Sequence, residues 1–203
     1  MKLYSFPRAP NPRRVHIFLA EKGVAVPVET VDIFKRENRQ PGFLEKNPLG
    51  GIPVLELDDG SHISESVAIC RYFEELHPEP ALFGTSPREC AEVEMWNRRV
   101  ELVLLNAAGM VWGHGSPLTA KVVKQIPENV APNRKRAEQF FELMDRTLSG
   151  RTFLAGERIS VADITALCTI DFAAAMIELA PDPSLASVAR WHAAMSARPS
   201  ARA

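Results

Sequence analysis

The chain has 203 residues, of which 46% are hydrophobic and 24% charged, with a formal net charge of −1. That length accommodates one or two domains with a full-sized core, and the balanced charge removes the electrostatic case for nucleic acid or an anionic membrane as partner. No apolar run approaches the ~20 residues of a membrane-spanning helix. Met1-Lys2-Leu3-Tyr4 leads directly into strand-like sequence, without the apolar core of a signal peptide. Cys70, Cys90 and Cys168 are far apart and lack Cys-x-x-Cys or zinc spacing. They read as reduced thiols of a cytoplasmic protein with no metal site.

In chain order, residues 2–6 alternate as a first strand, and Pro7-Arg8-Ala9-Pro10 reads as a loop. Asn11-Pro12 predicts an N-cap followed by proline at the first helical position. Val15, Phe18 and Leu19 mark the apolar face of that helix, and Gly23 is placed to end it. Arg13 and Arg14 read as decoration of its surface. The β-branched stretch 26–33 predicts a second strand, and the polar stretch 35–46, with one apolar pair at Phe43-Leu44, a short or irregular helix. Pro53 opens a strand over residues 54–57. Asp59-Gly60 supplies a tight turn and residues 61–63 run back as its partner. Ser64-Glu65-Ser66 then stands at the start of a helix with apolar positions Val67, Ile69, Cys70, Phe73 and Leu76. Two hydroxyls and a carboxylate thereby meet the unpaired N–H groups of a helix N-terminus.

His77-Pro78-Glu79-Pro80 ends this part, and almost everything beyond is helical. Ser86-Pro87-Arg88-Glu89 has capping-box spacing, and its helix can run to Trp112, before Gly113-His114-Gly115-Ser116-Pro117. A second long helix is predicted over residues 134–148. Ser160-Val161-Ala162-Asp163, with Ile159 and Ile164 as a staple, opens a buried helix running to about residue 179. Leu185, Val188, Trp191 and Met195 mark a last amphipathic helix before Pro199. Tyr4 and Trp96 read as core residues, and Trp112 as either core or pocket wall.

Asn47-Pro48, Ile52-Pro53, a hairpin and Glu65-Ser66, in that order, resemble the glutathione-binding core of the cytosolic glutathione transferases. The resemblance covers the whole chain. It implies an α/β N-terminal thioredoxin-like domain of order β-α-β-α-β-β-α (residues 1–78), a linker (79–86) and an all-α C-terminal domain (87–203). It further implies that Ile52 and a cis Pro53 present backbone groups to the cysteinyl part of glutathione, and that Glu65 and Ser66 hold its γ-glutamyl end. Lys35, Asn38 and Arg39 match positions used for the glycyl carboxylate, and residues 156–163 look like the family's helix-capping signature. Glutathione as co-substrate, a small hydrophobic electrophile, a homodimer and a cytoplasmic, detoxifying role follow from the same resemblance.

The family's reaction uses glutathione as thiolate. A free thiol has a pKa of about 8.5, and lowering it by about two units requires roughly 2.7 kcal/mol of preference for the anion. Most members aim a Tyr, Ser or Cys at the sulfur. Here Ser5 matches the tyrosine position, and Ala9, which has no donor, matches the serine or cysteine. A helix dipole contributes about 0.3–1 kcal/mol, up to about 2 when partly buried, and a hydrogen bond to an anion roughly 1.5–3 kcal/mol. Asn11 at the first helix start therefore suffices as donor, although it also reads as a plain cap. A fungal and bacterial subgroup without the usual hydroxyl resembles this chain at residues 10–15, at 97–105 and at His114, where a histidine and a serine are thought to hold a water near the thiol. The serine position falls on Gly109, and His114 also reads as an ordinary turn residue; Ser116 reads as shaping the turn. Two other readings stand beside conjugation. One is a glutathione-dependent disulfide reductase or peroxidase; the other is a non-catalytic binding protein.

Overall fold

The structure, a computed structural model, describes residues 1–6 and 9–203; Pro7 and Arg8 of the predicted loop lie outside the described residues. The chain divides into two compact units, residues 1–82 with 199–203, and residues 83–198. The sequence-derived boundaries differ in giving the last five residues to the helical part. They belong to the first unit because Ser200 and Ala201 hydrogen-bond to its first helix.

The first unit runs β1 (Lys2–Ser5), α1 (Pro10–Lys22), β2 (Val28–Thr30), a 3-10 turn (Glu37–Arg39), α2 (Pro41–Leu44), β3 (Val54–Glu56), β4 (His62–Ser64) and α3 (Ser66–Leu76). The sheet order is β2-β1-β3-β4, with β1 parallel to β2 and the other pairs antiparallel. Tyr4 and Val54 pack with Val31 and Phe43 on one face. Leu3 and Leu55, one residue along, turn to the opposite face, and their complete burial requires the second layer that α1 and α3 supply. β2 is shorter than predicted: Pro27 offers only a carbonyl, which accepts from Leu3, and the three residues of this edge strand are exposed.

α1 begins two residues earlier than its sequence suggests. Ala9 is the N-cap in extended conformation, Pro10 is the first helical residue and Asn11 the second. The first four N–H groups of a helix have no internal partner, so prolines at positions one and three cost no helical hydrogen bond. At the other end Gly23 adopts a left-handed conformation (φ 65°) and its N–H caps Ala20 and Leu19.

In the second unit, α4 (Pro87–Arg99) passes through a wide π turn (Val100–Leu105) into α5 (Asn106–Gly115), followed by α6 (Val130–Leu148), α7 (Val161–Ile177) and α8 (Ala186–Ser196). The helix predicted to stop at Trp112 thus continues three residues. Ser116, preceding Pro117, takes the extended conformation that ends it. α6 starts four residues early, because Pro132 is tolerated in a first turn. α7 is buried over most of its length, and both halves of its capping box form. Asp163, fully buried, accepts from the Ser160 N–H (3.0 Å), Ser160 Oγ (2.8 Å), Leu154 N–H (2.9 Å) and Trp191 Nε1 (3.0 Å). Among the described residues no helix is long and apolar enough to cross a membrane.

Candidate active site

Strand register assembles the first part of the site. Tyr4 pairs with Val54, and Val54 with Ser64. One step further along the same ladders, Ser5 stands beside Pro53 and Pro53 beside Glu65. The end of β1, the Ile52-Pro53 pair and the start of α3 are therefore neighbours at one end of the sheet. The Ile52–Pro53 peptide is cis.

Glu65 is an exposed non-glycine residue at φ 70°, ψ 114°, and its carbonyl accepts from Ile69 N–H as α3 begins. Such a conformation costs on the order of 1–3 kcal/mol and persists where surrounding structure demands it. Ser66 is buried, and its Oγ accepts from Arg14 Nη1 at 2.8 Å. Arg14 itself is only 2% exposed, which corrects its reading as surface decoration. The bond ties the second turn of α1 to the first residue of α3. It also occupies a lone pair of Ser66, so that the serine's own O–H remains as a donor.

Asn11 lies in the first turn of α1 between two residues that have no N–H. Its Oδ1 is buried without a partner among the described residues, and the turn contains no acidic side chain. Ser5 is placed differently from its sequence expectation. It is fully buried, and its Oγ lies 2.7 Å from His16 Nε2 on α1. Burial pushes the His16 imidazole below its usual range, favouring the neutral ring. Ser5 thus fastens the end of β1 to α1 instead of presenting a hydroxyl.

Asn38 Nδ2 donates to Gly50 O (2.7 Å) and Arg39 Nη1 to Leu49 O (2.9 Å). Gly50 has φ 61°, and a Cβ there would stand 2.8 Å from both Asn38 O and Arg39 Nη1, so only glycine fits. Asn47 adds a bond to Gly51 O at 2.9 Å. These side chains brace the loop that delivers Ile52-Pro53. Lys35 is not drawn into that bracing: its ammonium, largely exposed, pairs with Asp32 at 3.3 Å. Behind the loop, Glu56 accepts from the Tyr4 hydroxyl (2.6 Å) and lies 3.4 Å from both Lys46 and His62. The Tyr4 hydroxyl, followed by the Lys46 and His62 contacts, holds the Glu56 carboxyl down at about 2.

In the helical unit, His114 occupies the last turn of α5 rather than a loop, and its Nδ1 accepts from Ile126 N–H at 3.2 Å. Nε2–H is then the ring's remaining donor. Trp112 meets Phe172 edge-to-face at 5.7 Å, and its buried Nε1 has no partner among the described residues. Gly109 offers no hydroxyl, and a Cβ there would meet nothing within 4 Å. Ser116 Oγ accepts from Leu118 N–H at 3.3 Å and shapes the following turn. Among the described residues no three His, Cys, Asp or Glu side chains gather as a metal site.

The family model for the glutathione S-transferase N-terminal domain matches residues 9–76, and that for the C-terminal domain residues 116–199. Glutathione S-transferase 2 of Saccharomyces cerevisiae is 36% identical over 206 residues, covering 100% of this chain and 88% of the relative. The chain belongs to the glutathione S-transferase family. A glutathione S-transferase domain-containing protein of Marinobacter aquaeolei superposes with a TM-score of 0.94 at 37% identity, covering 98% of this chain and 99% of that one. Elongation factor 1-gamma of Rattus norvegicus is 37% identical over 139 residues, which is 68% of this chain and 30% of the relative.

Arg14, bonded to Ser66, is the residue of the candidate site that sequence reasoning missed, although a signal for it exists. Ile17 and Phe18, three and four positions on, are both buried, so Arg14 sits on the apolar stripe of α1. A charge on that stripe implies a buried polar partner.

Proposed function

We propose that this chain ionises glutathione at the first turn of α1 and transfers the thiolate to a small hydrophobic electrophile. The observation that carries the reading is Asn11. Prolines on both sides remove the neighbouring main-chain N–H groups and leave its side-chain amide, through Nδ2–H, as the donor that this turn offers an anion. One charge-assisted hydrogen bond at about 1.5–3 kcal/mol, added to a partly buried dipole at up to about 2, covers the roughly 2.7 kcal/mol that ionisation near neutrality needs.

The remaining residues act as holders. Ile52 and Pro53 offer main-chain groups to the cysteinyl part, and Glu65 takes the glutamyl amine. Ser66, whose oxygen accepts from Arg14, donates its hydroxyl hydrogen to the glutamyl carboxylate. Arg39, steadied against Leu49 O, is the better candidate for the glycyl carboxylate; Asn38 braces the loop, and Lys35 contributes charge only. In the reaction the thiol proton leaves to water. A sulfur lone pair then forms the S–C bond, and the displaced electron pair departs with the leaving group or onto the electrophile. His114, through Nε2–H, is the second candidate for assisting the sulfur. A homodimer acting in the cytoplasm fits the same reading.

A second reading, a non-catalytic binding protein, is kept open by the 37% identity to elongation factor 1-gamma, a relative that is not named as a transferase. Conjugation of glutathione to chlorodinitrobenzene separates the two. Transferase function predicts saturable thioether formation by the purified chain, reduced about tenfold or more in Asn11→Ala and less in His114→Ala. Glutathione binding with no thioether above the uncatalysed rate would support the second reading and overturn the first.

A further inference from the structure

Helix α1 starts without a side-chain cap: Ala9 makes no capping bond, and Pro10 and Pro12 remove two first-turn N–H groups. The position of its first turn therefore depends on tertiary ties. One is the Arg14–Ser66 bond. Another comes from the opposite end of the chain, where Pro199–Arg202 form a short 3-10 turn within the same unit. Arg13, two residues beyond Asn11, donates from Nη2 to Ala201 O at 3.2 Å. Buried Ser200 donates from Oγ to Glu21 Oε1 near the far end of α1. Two long side chains, from the two ends of α1, thus converge on a single turn of chain.

We propose that this C-terminal turn is a clamp that sets the position of α1, and with it the place where Asn11 meets the glutathione sulfur. Arg13, Glu21 and Ser200 are then positioning residues for the reaction. The inference rests on the reading of Asn11 given above. Its physical basis is the steep dependence of hydrogen bonding on distance and angle, by which a displacement of about 1 Å can cost about a hundredfold in rate. Glu21 stands ten residues from Asn11, roughly 15 Å along the helix axis at about 1.5 Å per residue. That exceeds the Debye length of about 8–10 Å at ordinary ionic strength. An effect of Glu21 or Ser200 on the sulfur must therefore be transmitted by the position of the helix.

The test uses Ser200→Ala, Glu21→Ala and a chain in which residues 199–203 are replaced by glycine and serine. Each is titrated with glutathione bound, following thiolate absorbance against pH, and assayed for kcat and KM with chlorodinitrobenzene; thermal midpoints are recorded alongside. The clamp predicts a bound-thiol pKa raised by about half a unit to one unit, hence a roughly three- to tenfold loss of kcat below that pKa. KM for glutathione should change less than about twofold, because Ser66, Arg14 and Pro53 are untouched. Variants whose bound-thiol pKa equals that of the unsubstituted protein would overturn the proposal, whether or not their midpoints fall. A thiol left unshifted in the unsubstituted protein would overturn the transferase reading itself, and the clamp with it.

Discussion

Arg14 shows how much one buried side chain carries in this protein. Its guanidinium is shut away from water and bonded to Ser66 Oγ at 2.8 Å, so removing it frees a buried serine and loosens the joint between α1 and α3. Arg14→Met is expected to raise KM for glutathione about tenfold, the loss of a hydrogen bond to a charged group. Lysine should restore little, since it lacks the planar fork. A KM unchanged in Arg14→Met would remove Ser66 from the glutathione site. Gly50 makes a separate claim. Alanine there meets a left-handed φ and two contacts at 2.8 Å, so Gly50→Ala should lower stability by about 1–3 kcal/mol, measured by denaturant melts. At this scale Ile52, Pro53, Glu65 and Ser66 are legible from sequence, because prolines, a tight turn and a helix start mark them locally. The inward turn of Ser5 toward His16 is not, because it depends on where α1 lies against β1.

Elements are held by carboxylates in both units. Glu56 draws Tyr4, Lys46 and His62 together and so ties the segment after α2 to the sheet. Its pKa lies at about 2 in the folded chain against an ordinary 4.5. The folded state therefore binds fewer protons than the unfolded one between these values, so this contribution is present above about pH 4.5 and is lost as pH falls through about 2. His16 acts in the same direction at higher pH: its value is lowered from 6.5, so stability declines as pH drops below that point. Melting across this range should show both declines, and Glu56→Gln should reduce the lower one, to which Glu89, also held at about 2, contributes as well. In α7, Asp163→Ala would leave the N–H groups of Leu154, Ser160 and Trp191 buried and unpaired. At roughly 1–3 kcal/mol each, this should cost several kcal/mol and prevent stable folding at ordinary temperature. The capping box that opens α7 is legible as Ser-x-x-Asp. The π turn at Val100–Leu105 and the extension of α5 to Gly115 are not, since tertiary packing overrides the weak local cost of glycine.

For the whole molecule, two units of different class are readable directly from the change of hydrophobic period near residue 80. The return of residues 199–203 to the first unit is hidden, because it rests on two side-chain contacts across about 180 positions. Leu49 is 72% exposed, and Met95 and Leu102, seven positions apart, are exposed as well. The proposed homodimer would remove side chains such as Leu49 from water, and light scattering is expected to give the mass of two chains. Leu49→Lys should shift the mass toward one; a single-chain mass for the unsubstituted protein would contradict the dimer.

The central claim, that the uncapped first turn of α1 ionises the thiol through Asn11, is tested most directly by titrating bound glutathione. Thiolate absorbance in the unsubstituted protein should report a pKa about two units below the free value of about 8.5, and Asn11→Ala should return it upward by about one to two units. An Asn11→Ala titration that overlays that of the unsubstituted protein would contradict the account and pass the role to another group, with His114 the next to test.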